Sequence, residues 1–269
     1  MGLLDGKVAF ITGAARAQGR SHAVRFAEEG ADIIALDICA PPAAVGYVTA
    51  TPEDMQETAR QVEALGRKIV ARVGDVRDQS ALDGAVADGV AALGRLDIVV
   101  ANAGISSWGR FWEMSEERWQ AMIDINLTGV WRTLRATAPT MIAQGTGGSM
   151  ITISSVAGIK SLPGQAHYSA AKHGVVGLTK TAAIELGPHE IRVNSVHPWG
   201  VQTPMAEDAE LVPVLAAYPE FLNSFGSIMP QLGSAAPRDI SEVVLFLASD
   251  ASRFMTGAQI PVDMGATKV

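Results

Sequence analysis

The chain has 269 residues, 48% of them hydrophobic and 18% charged, with a net charge of -7 at pH 7. That apolar share supplies a full core and excludes a disordered composition, and the length is within what one α/β unit builds. The acidic balance argues against a nucleic-acid or anionic-membrane partner, since either asks for a basic stripe, so small molecules are the expected ligands.

Short apolar runs alternate with helix-period segments from start to end. "KVAFIT" reads as the first strand, residues 17–29 as a helix and "DIIALD" as the second strand; a helix over 52–65, "KIVARVGDV", a helix over 79–93 and "LDIVVANAG" follow. The spacing then predicts one long helix over 116–143 before "SMITISS", a helix over 165–186 before "IRVNSVHP", and a last helix over 240–249 before "AQIPVD". This rhythm predicts a Rossmann-type doubly wound parallel sheet of about seven strands with helices on both faces, in a single domain spanning the chain. Residues 38–51 and 205–236 are long irregular stretches, and loops of that length are more often functional than idle.

The uncharged span 136–161 is broken by Pro139, Gln144, Gly145, Gly147 and Gly148, so it does not predict a membrane span. The amino terminus reaches its first strand without a basic then apolar leader, and Gly6 stands where a myristoylation signal wants Ser or Thr. One cysteine, Cys39, forms no internal disulfide, and no Cys and His set has zinc spacing; the expectation is a cytoplasmic protein with no metal.

Between the first strand and first helix stands "TGAARAQG". Glycine there lets backbone approach a pyrophosphate, and the following helix end offers free N–H groups and a positive dipole. Asp37 ends the second strand, where a carboxylate accepts hydrogen bonds from ribose hydroxyls and repels the extra phosphate of NADP, so NAD is expected. Arg16 pulls the other way if it pairs with that phosphate, and is otherwise a solvated loop charge. Tyr168 and Lys172 in "HYSAAKHG" stand four apart, on one helix face. Alone, that spacing fits a partly exposed face as well as a site. As chemistry, lowering a phenol from a pKa of about 10 to about 7 takes roughly 4 kcal/mol, part of which an ammonium one turn away supplies.

With "TGAARAQG", "NAG", "ISS" and "YSAAK" in this order, the sequence resembles the short-chain dehydrogenase/reductase family from Lys7 to Gly265. Its Thr-Gly-x-x-x-Gly-x-Gly pattern is matched at Thr12, Gly13 and Gly19 and departed from at Ala17. An extra methyl there is expected to weaken cofactor binding at most, because a residue entering a helix needs no positive φ. The resemblance implies cofactor contacts at Gly13, Arg16, Ala17, Gln18, Gly19, Asp37, Asp75, Val76, Asn102, Ala103, Gly104, Tyr168 and Lys172, and at Pro198, Val201 and Thr203 in "HPWGVQTPM". It also implies a catalytic set of Asn126, Ser155, Tyr168 and Lys172, with Ser155 preferred to Ser154 because it lies thirteen residues before Tyr168. Tyr168 is then the proton acceptor, Lys172 holds the nicotinamide ribose, Ser155 holds the substrate oxygen and Asn126 fixes a relay water. Trp199 replaces the usual glycine, and either narrows the pocket or packs outward. His197 reads as a spacer, and His167 and His173 as no metal ligands.

Candidate substrate-pocket residues are Ser106, Trp108, Val156, Leu162, Trp199, Met205, Phe221 and Phe225, a mostly apolar set suiting a hydrophobic cyclic or terpenoid secondary alcohol and its ketone. The long stretch "ICAPPAAVGYVTATPEDMQET" resembles that of carveol dehydrogenase-like members, a branch associated with tightly held NAD reoxidised by the external carrier mycofactocin. It either closes over the adenosine or is a surface insertion. The resemblance further implies a homotetramer. A general ketone or 3-oxoacyl reductase of the same family, and a non-catalytic NAD-sensing module, are the alternatives.

Overall fold

The computed structural model describes residues 2–42 and 45–269. Its strands are β1 (Val8–Thr12), β2 (Asp32–Asp37), β3 (Ile69–Val73), β4 (Ile98–Ala101), β5 (Gly148–Ile153), β6 (Ile191–Pro198) and β7 (Gln259–Val262). They form one sheet in the order β3-β2-β1-β4-β5-β6-β7, every neighbouring pair parallel. Between them run α1 (Ala17–Glu28), α2 (Pro52–Ala64), α3 (Gln79–Leu93), α4 (Glu116–Ile123), α5 (Gly129–Gln144), α6 (Ala166–Leu186), α7 (Leu211–Ala217) and α8 (Pro237–Ala248).

Strand periodicity divides the core. In β1, Ala9 and Ile11 face a core shared with α1, α2 and α8 through Phe26, Val62 and Val244, whereas Val8 and Phe10 face one shared with α3, α5 and α6 through Leu82, Leu134 and Leu186. Both faces of the sheet are therefore covered, which is the doubly wound arrangement expected from the sequence. The strand order reverses between β1 and β4, and in such sheets the crevice beyond the strand ends at that point receives the ligand.

Three local features depart from the sequence expectation. The long helix over 116–143 is interrupted by a π-helical turn, Asp124–Thr128, between α4 and α5. α8 starts at Pro237, where a proline costs no hydrogen bond, and the Asp239 carboxylate accepts the Ala236 N–H (2.8 Å). The irregular stretch 205–236 contains α7 and short 3-10 turns. Among the described residues no helix is long and apolar enough to cross a membrane.

Candidate active site

Thr12 seals the ends of β1 and β4 together. Its hydroxyl accepts from the Asn102 and Ala103 N–H groups (3.1 and 3.2 Å), while the Asn102 amide donates to the Thr12 and Gly13 carbonyls (2.9 and 3.2 Å). Gly13, at φ +66°, lets this contact close, since a Cβ there would lie 2.9 Å from Ala103 Cα. A Cβ on Gly19 would lie 1.9 Å from the Gly13 carbonyl oxygen. Backbone therefore packs on backbone, and α1 begins with no side-chain cap, so its first N–H groups remain available to an anion in the cleft.

Ala17 corrects an expectation. The chain enters α1 from an extended Arg16 through a left-handed Ala17 at φ +49°, so the position does use the conformation that glycine adopts freely. The two carboxylate oxygens of Asp37 accept from the Ala15 and Cys39 N–H groups (3.0 Å each), fixing the side chain at the cleft wall. The Arg16 guanidinium donates to the Val48 carbonyl while remaining in the lining of the cleft. Asp75 and Val76 lie just beyond β3 rather than within it, and both line the cleft with Gln18, Asn102, Ala103 and Gly104.

Of the stretch 38–51, the described residues 38–42 and 45–51 run along this cleft as a strap, with Ala40, Pro42, Tyr47, Thr49 and Ala50 on its wall, while residues 43 and 44 lie outside the described residues. Three described ties hold it: Arg16 to the Val48 carbonyl, the Ser106 N–H to the Tyr47 hydroxyl oxygen (3.2 Å), and the Ala209 N–H to the Gly46 carbonyl (3.4 Å). A Cβ on Gly46 would meet Asp208 Oδ1 at 2.6 Å, so glycine permits the close approach to the segment before α7. The strap ends in a capping box in which Thr51 Oγ1 accepts the Asp54 N–H (3.3 Å) and Asp54 accepts the Thr51 N–H (3.0 Å).

Deeper in the site, α6 carries Tyr168 and Lys172 on one face, the ammonium 5.5 Å from the phenol ring centroid. Both side chains are buried. Lys172 Nζ donates to the Ile153 carbonyl (2.8 Å), and burial pulls its pKa down to about 8. Burial pushes the Tyr168 phenol up, opposed by the Ser155 hydroxyl beside it. Desolvation thus disfavours charge on both partners, and the chain's own groups leave the phenol raised. The two serines separate cleanly. Ser154 Oγ donates to the Lys172 carbonyl (3.0 Å) and braces α6, whereas Ser155 Oγ accepts the Ala157 N–H (3.2 Å) and faces the phenol.

Asn126 sits in the π-helical turn, fully buried. Its Oδ1 accepts the Ile105 N–H (3.1 Å), and its Nδ2 donates to the carbonyls of Ile105 (3.0 Å) and Met122 (3.1 Å). The amide thus clamps the segment after β4, and a Cβ on Gly104 would strike Asn126 Oδ1 at 2.7 Å. Both amide hydrogens are committed, and Oδ1 keeps one free lone pair beside the Ile105 N–H.

Of the remaining expected contacts, Thr203 lines the cleft, while Pro198 closes β6 and Val201 bridges to Ala235 outside the lining. Trp199 stacks on Phe225 (5.8 Å), which in turn packs on Trp108 (5.7 Å), giving a wall of three rings. Phe221 belongs instead to a separate stack on Tyr218 (5.1 Å). His197 is more than a spacer: its Nδ1 bonds the Ser155 carbonyl oxygen (2.8 Å) and its Nε2 the Ser195 hydroxyl (2.9 Å), holding the backbone that presents Ser155. His167 is buried against Ser107 Oγ (2.8 Å), and among the described residues no group of three or more His, Cys, Asp or Glu is placed to hold a metal. Sequence reasoning missed Tyr47 and Gln165; the one signal for Tyr47 was an aromatic in a strap otherwise made of small residues and prolines.

Residues 13–267 match a family model described as Enoyl-(Acyl carrier protein) reductase. An uncharacterized NAD-dependent oxidoreductase of Mycobacterium tuberculosis is 57% identical, over 99% of this chain and 98% of its own length. The (-)-trans-carveol dehydrogenase of Rhodococcus erythropolis is 45% identical, covering 99% of each chain. The crystal structure of carveol dehydrogenase from Mycobacterium avium in complex with NAD superposes with a TM-score of 0.93 at 49% identity, covering 100% of both chains.

Proposed function

The chain belongs to the short-chain dehydrogenase/reductase family and is an NAD-dependent oxidoreductase, and from that premise we infer that it interconverts hydrophobic cyclic or terpenoid secondary alcohols with their ketones. The observation that carries this reading is the placement of the Tyr168 phenol beside the Ser155 hydroxyl, in one apolar cluster with Trp199 and Phe225, whose rings stack on each other and on Trp108. NAD, when bound, supplies the hydride acceptor and the positive charge of its oxidised ring. The cradle of Gly13 and Gly19, the uncapped start of α1 and the fixed Asp37 carboxylate are the groups that would hold it.

Ser155 donates to the substrate oxygen and fixes it beside Tyr168. Tyr168 takes the hydroxyl proton as hydride leaves the carbinol carbon, and returns it to the carbonyl oxygen in the reverse direction. The chain alone raises this phenol, so its ionisation draws on positive charge brought into a site shielded from water. Lys172 would hold the nicotinamide ribose, and Asn126 holds the Ile105 turn, whose neighbour Gly104 lies close to the Lys172 ammonium.

The tied strap supports a second element of the reading: NAD stays in the cleft and is reoxidised there by an external acceptor such as mycofactocin. Trp119 and Trp131 on α4 and α5, and Ile184 on α6, are exposed and suit burial in a homotetramer, which sedimentation tests directly. Carveol mixed with purified protein and no added nucleotide tests the rest. A rise in reduced-nicotinamide absorbance that stops near one equivalent per subunit supports retained NAD. Steady turnover only after NAD is added removes the retention and leaves an exchanging dehydrogenase. Absence of oxidation in both conditions rejects the alcohol class and turns attention to 3-oxoacyl substrates.

A further inference from the structure

Tyr47 hangs from the strap into the cleft that Gly104, Ile105 and Met205 also line, within electrostatic reach of the Tyr168 phenol. Its hydroxyl oxygen accepts the Ser106 N–H at 3.2 Å. A main-chain N–H is unambiguously the donor, so the phenol's own hydrogen must point elsewhere, and among the described residues nothing accepts it. Ser106 is itself immobilised, buried with its hydroxyl accepting from Gln165 Nε2 at 2.7 Å, so the phenol oxygen is anchored on a rigid segment. Burial pushes the Tyr47 phenol up to about 12, which keeps the hydrogen in place at any working pH. The site thus offers two phenols of opposite character: Tyr168 beside its serine, and Tyr47 as a permanent donor with no acceptor of its own. A half-buried donor that lines the cleft and has no protein acceptor is free for an acceptor on a ligand.

We propose that Tyr47 is a specificity residue that donates a hydrogen bond to a second oxygen on the substrate, so that the preferred substrates are cyclic alcohols carrying another hydroxyl, keto or carboxylate oxygen across the ring. The proposal rests on the dehydrogenase reading above and narrows it, since the three-ring wall alone asks only for hydrophobic shape. Site-built hydrogen bonds discriminate more strongly than apolar walls, because a substrate lacking the partner leaves a protein group unpaired.

The test compares trans-cyclohexane-1,4-diol with trans-4-methylcyclohexanol, which differ by a hydroxyl in place of a methyl group, in the full-length protein and in Tyr47→Phe. The unaltered protein is expected to favour the diol in kcat/KM, and Tyr47→Phe to lower the diol-to-methyl ratio at least tenfold, chiefly through KM for the diol. The ratio is the readout because loss of the Ser106 anchor would slow both substrates together. An unchanged ratio overturns the proposal whatever happens to the individual rates, and so does a preference of the unaltered protein for the methyl compound. Failure to oxidise either alcohol would instead reject the underlying dehydrogenase reading.

Discussion

Ala17 shows how one methyl group sets a local compromise. An L-residue held in the left-handed region costs about 1–2 kcal/mol, and glycine avoids that at the expense of roughly 0.4–1 kcal/mol of added unfolded-state freedom. The first term wins, so Ala17→Gly is expected to stabilise the fold by about 0.5–1 kcal/mol and raise the melting temperature by roughly 1–3 °C. Removing the methyl from the cleft wall also opens space where the pyrophosphate would approach, and titration calorimetry should show NAD binding a few-fold tighter, on the order of 0.5–1 kcal/mol. A lower melting temperature would mean that the backbone at position 17 is not strained. Sequence alone located this departure from the glycine pattern but assigned it the wrong conformation, because the φ of a helix-entry residue is set by how Arg16 arrives, extended at φ -156°.

At the level of elements, the π-helical turn between α4 and α5 is what a reading by helical period cannot foresee. Residues 116–143 carry no helix breaker near position 126, so they read as one rod, and the extra residue in the turn appears only when Asn126 reaches the Ile105 backbone on another segment. The parallel sheet was legible because each strand is an apolar run with its own punctuation. Tyr47 and His197 were not, since their roles arise from partners 59 and 42 residues away. Asn126→Ala would leave the Ile105 N–H and C=O unpaired in a buried place, at about 1–3 kcal/mol for each group. Urea unfolding should shift downward by roughly 2–4 kcal/mol, and turnover should fall more steeply than NAD affinity because the disturbed turn abuts Lys172 rather than Asp37. Asn126→Asp keeps only the acceptor for the Ile105 N–H and is expected to recover part of the stability. Equal losses in turnover and NAD affinity would show that the turn serves the fold alone.

Across the whole molecule, burial holds several histidine, lysine and tyrosine side chains toward their neutral forms. His22 and His167 are pulled down to about 3 and about 4, Lys172 down to about 8, and the Tyr168 and Tyr47 phenols upward, the latter to about 12. Below the usual histidine value of about 6.5 the unfolded chain binds protons at His22 and His167 that the folded chain refuses, so stability falls as pH drops from there toward 4. With two protons the slope approaches about 2.7 kcal/mol per pH unit. On the alkaline side the sign stays the same at first and reverses once. From about 8 to about 10 the unfolded chain retains the Lys172 proton while the folded chain sheds it, so stability rises with pH. Beyond about 10 the unfolded chain loses phenol protons that folded Tyr168 and Tyr47 keep, so stability falls again. Urea unfolding across pH 4–11 should therefore show a maximum between 9 and 10 rather than near neutrality, estimated from these crossing points. Lys172→Met should abolish the rise above pH 8 while leaving the acid arm intact, and His22→Gln with His167→Gln should make the acid arm shallower while leaving the alkaline rise, the remainder coming from His197 and from carboxylates held low such as Asp263 and Glu242. If Lys172→Met leaves the alkaline rise unchanged, the buried ammonium is solvated in the folded chain, and its role in lowering the Tyr168 phenol needs less help from the cofactor than the burial of both groups implies.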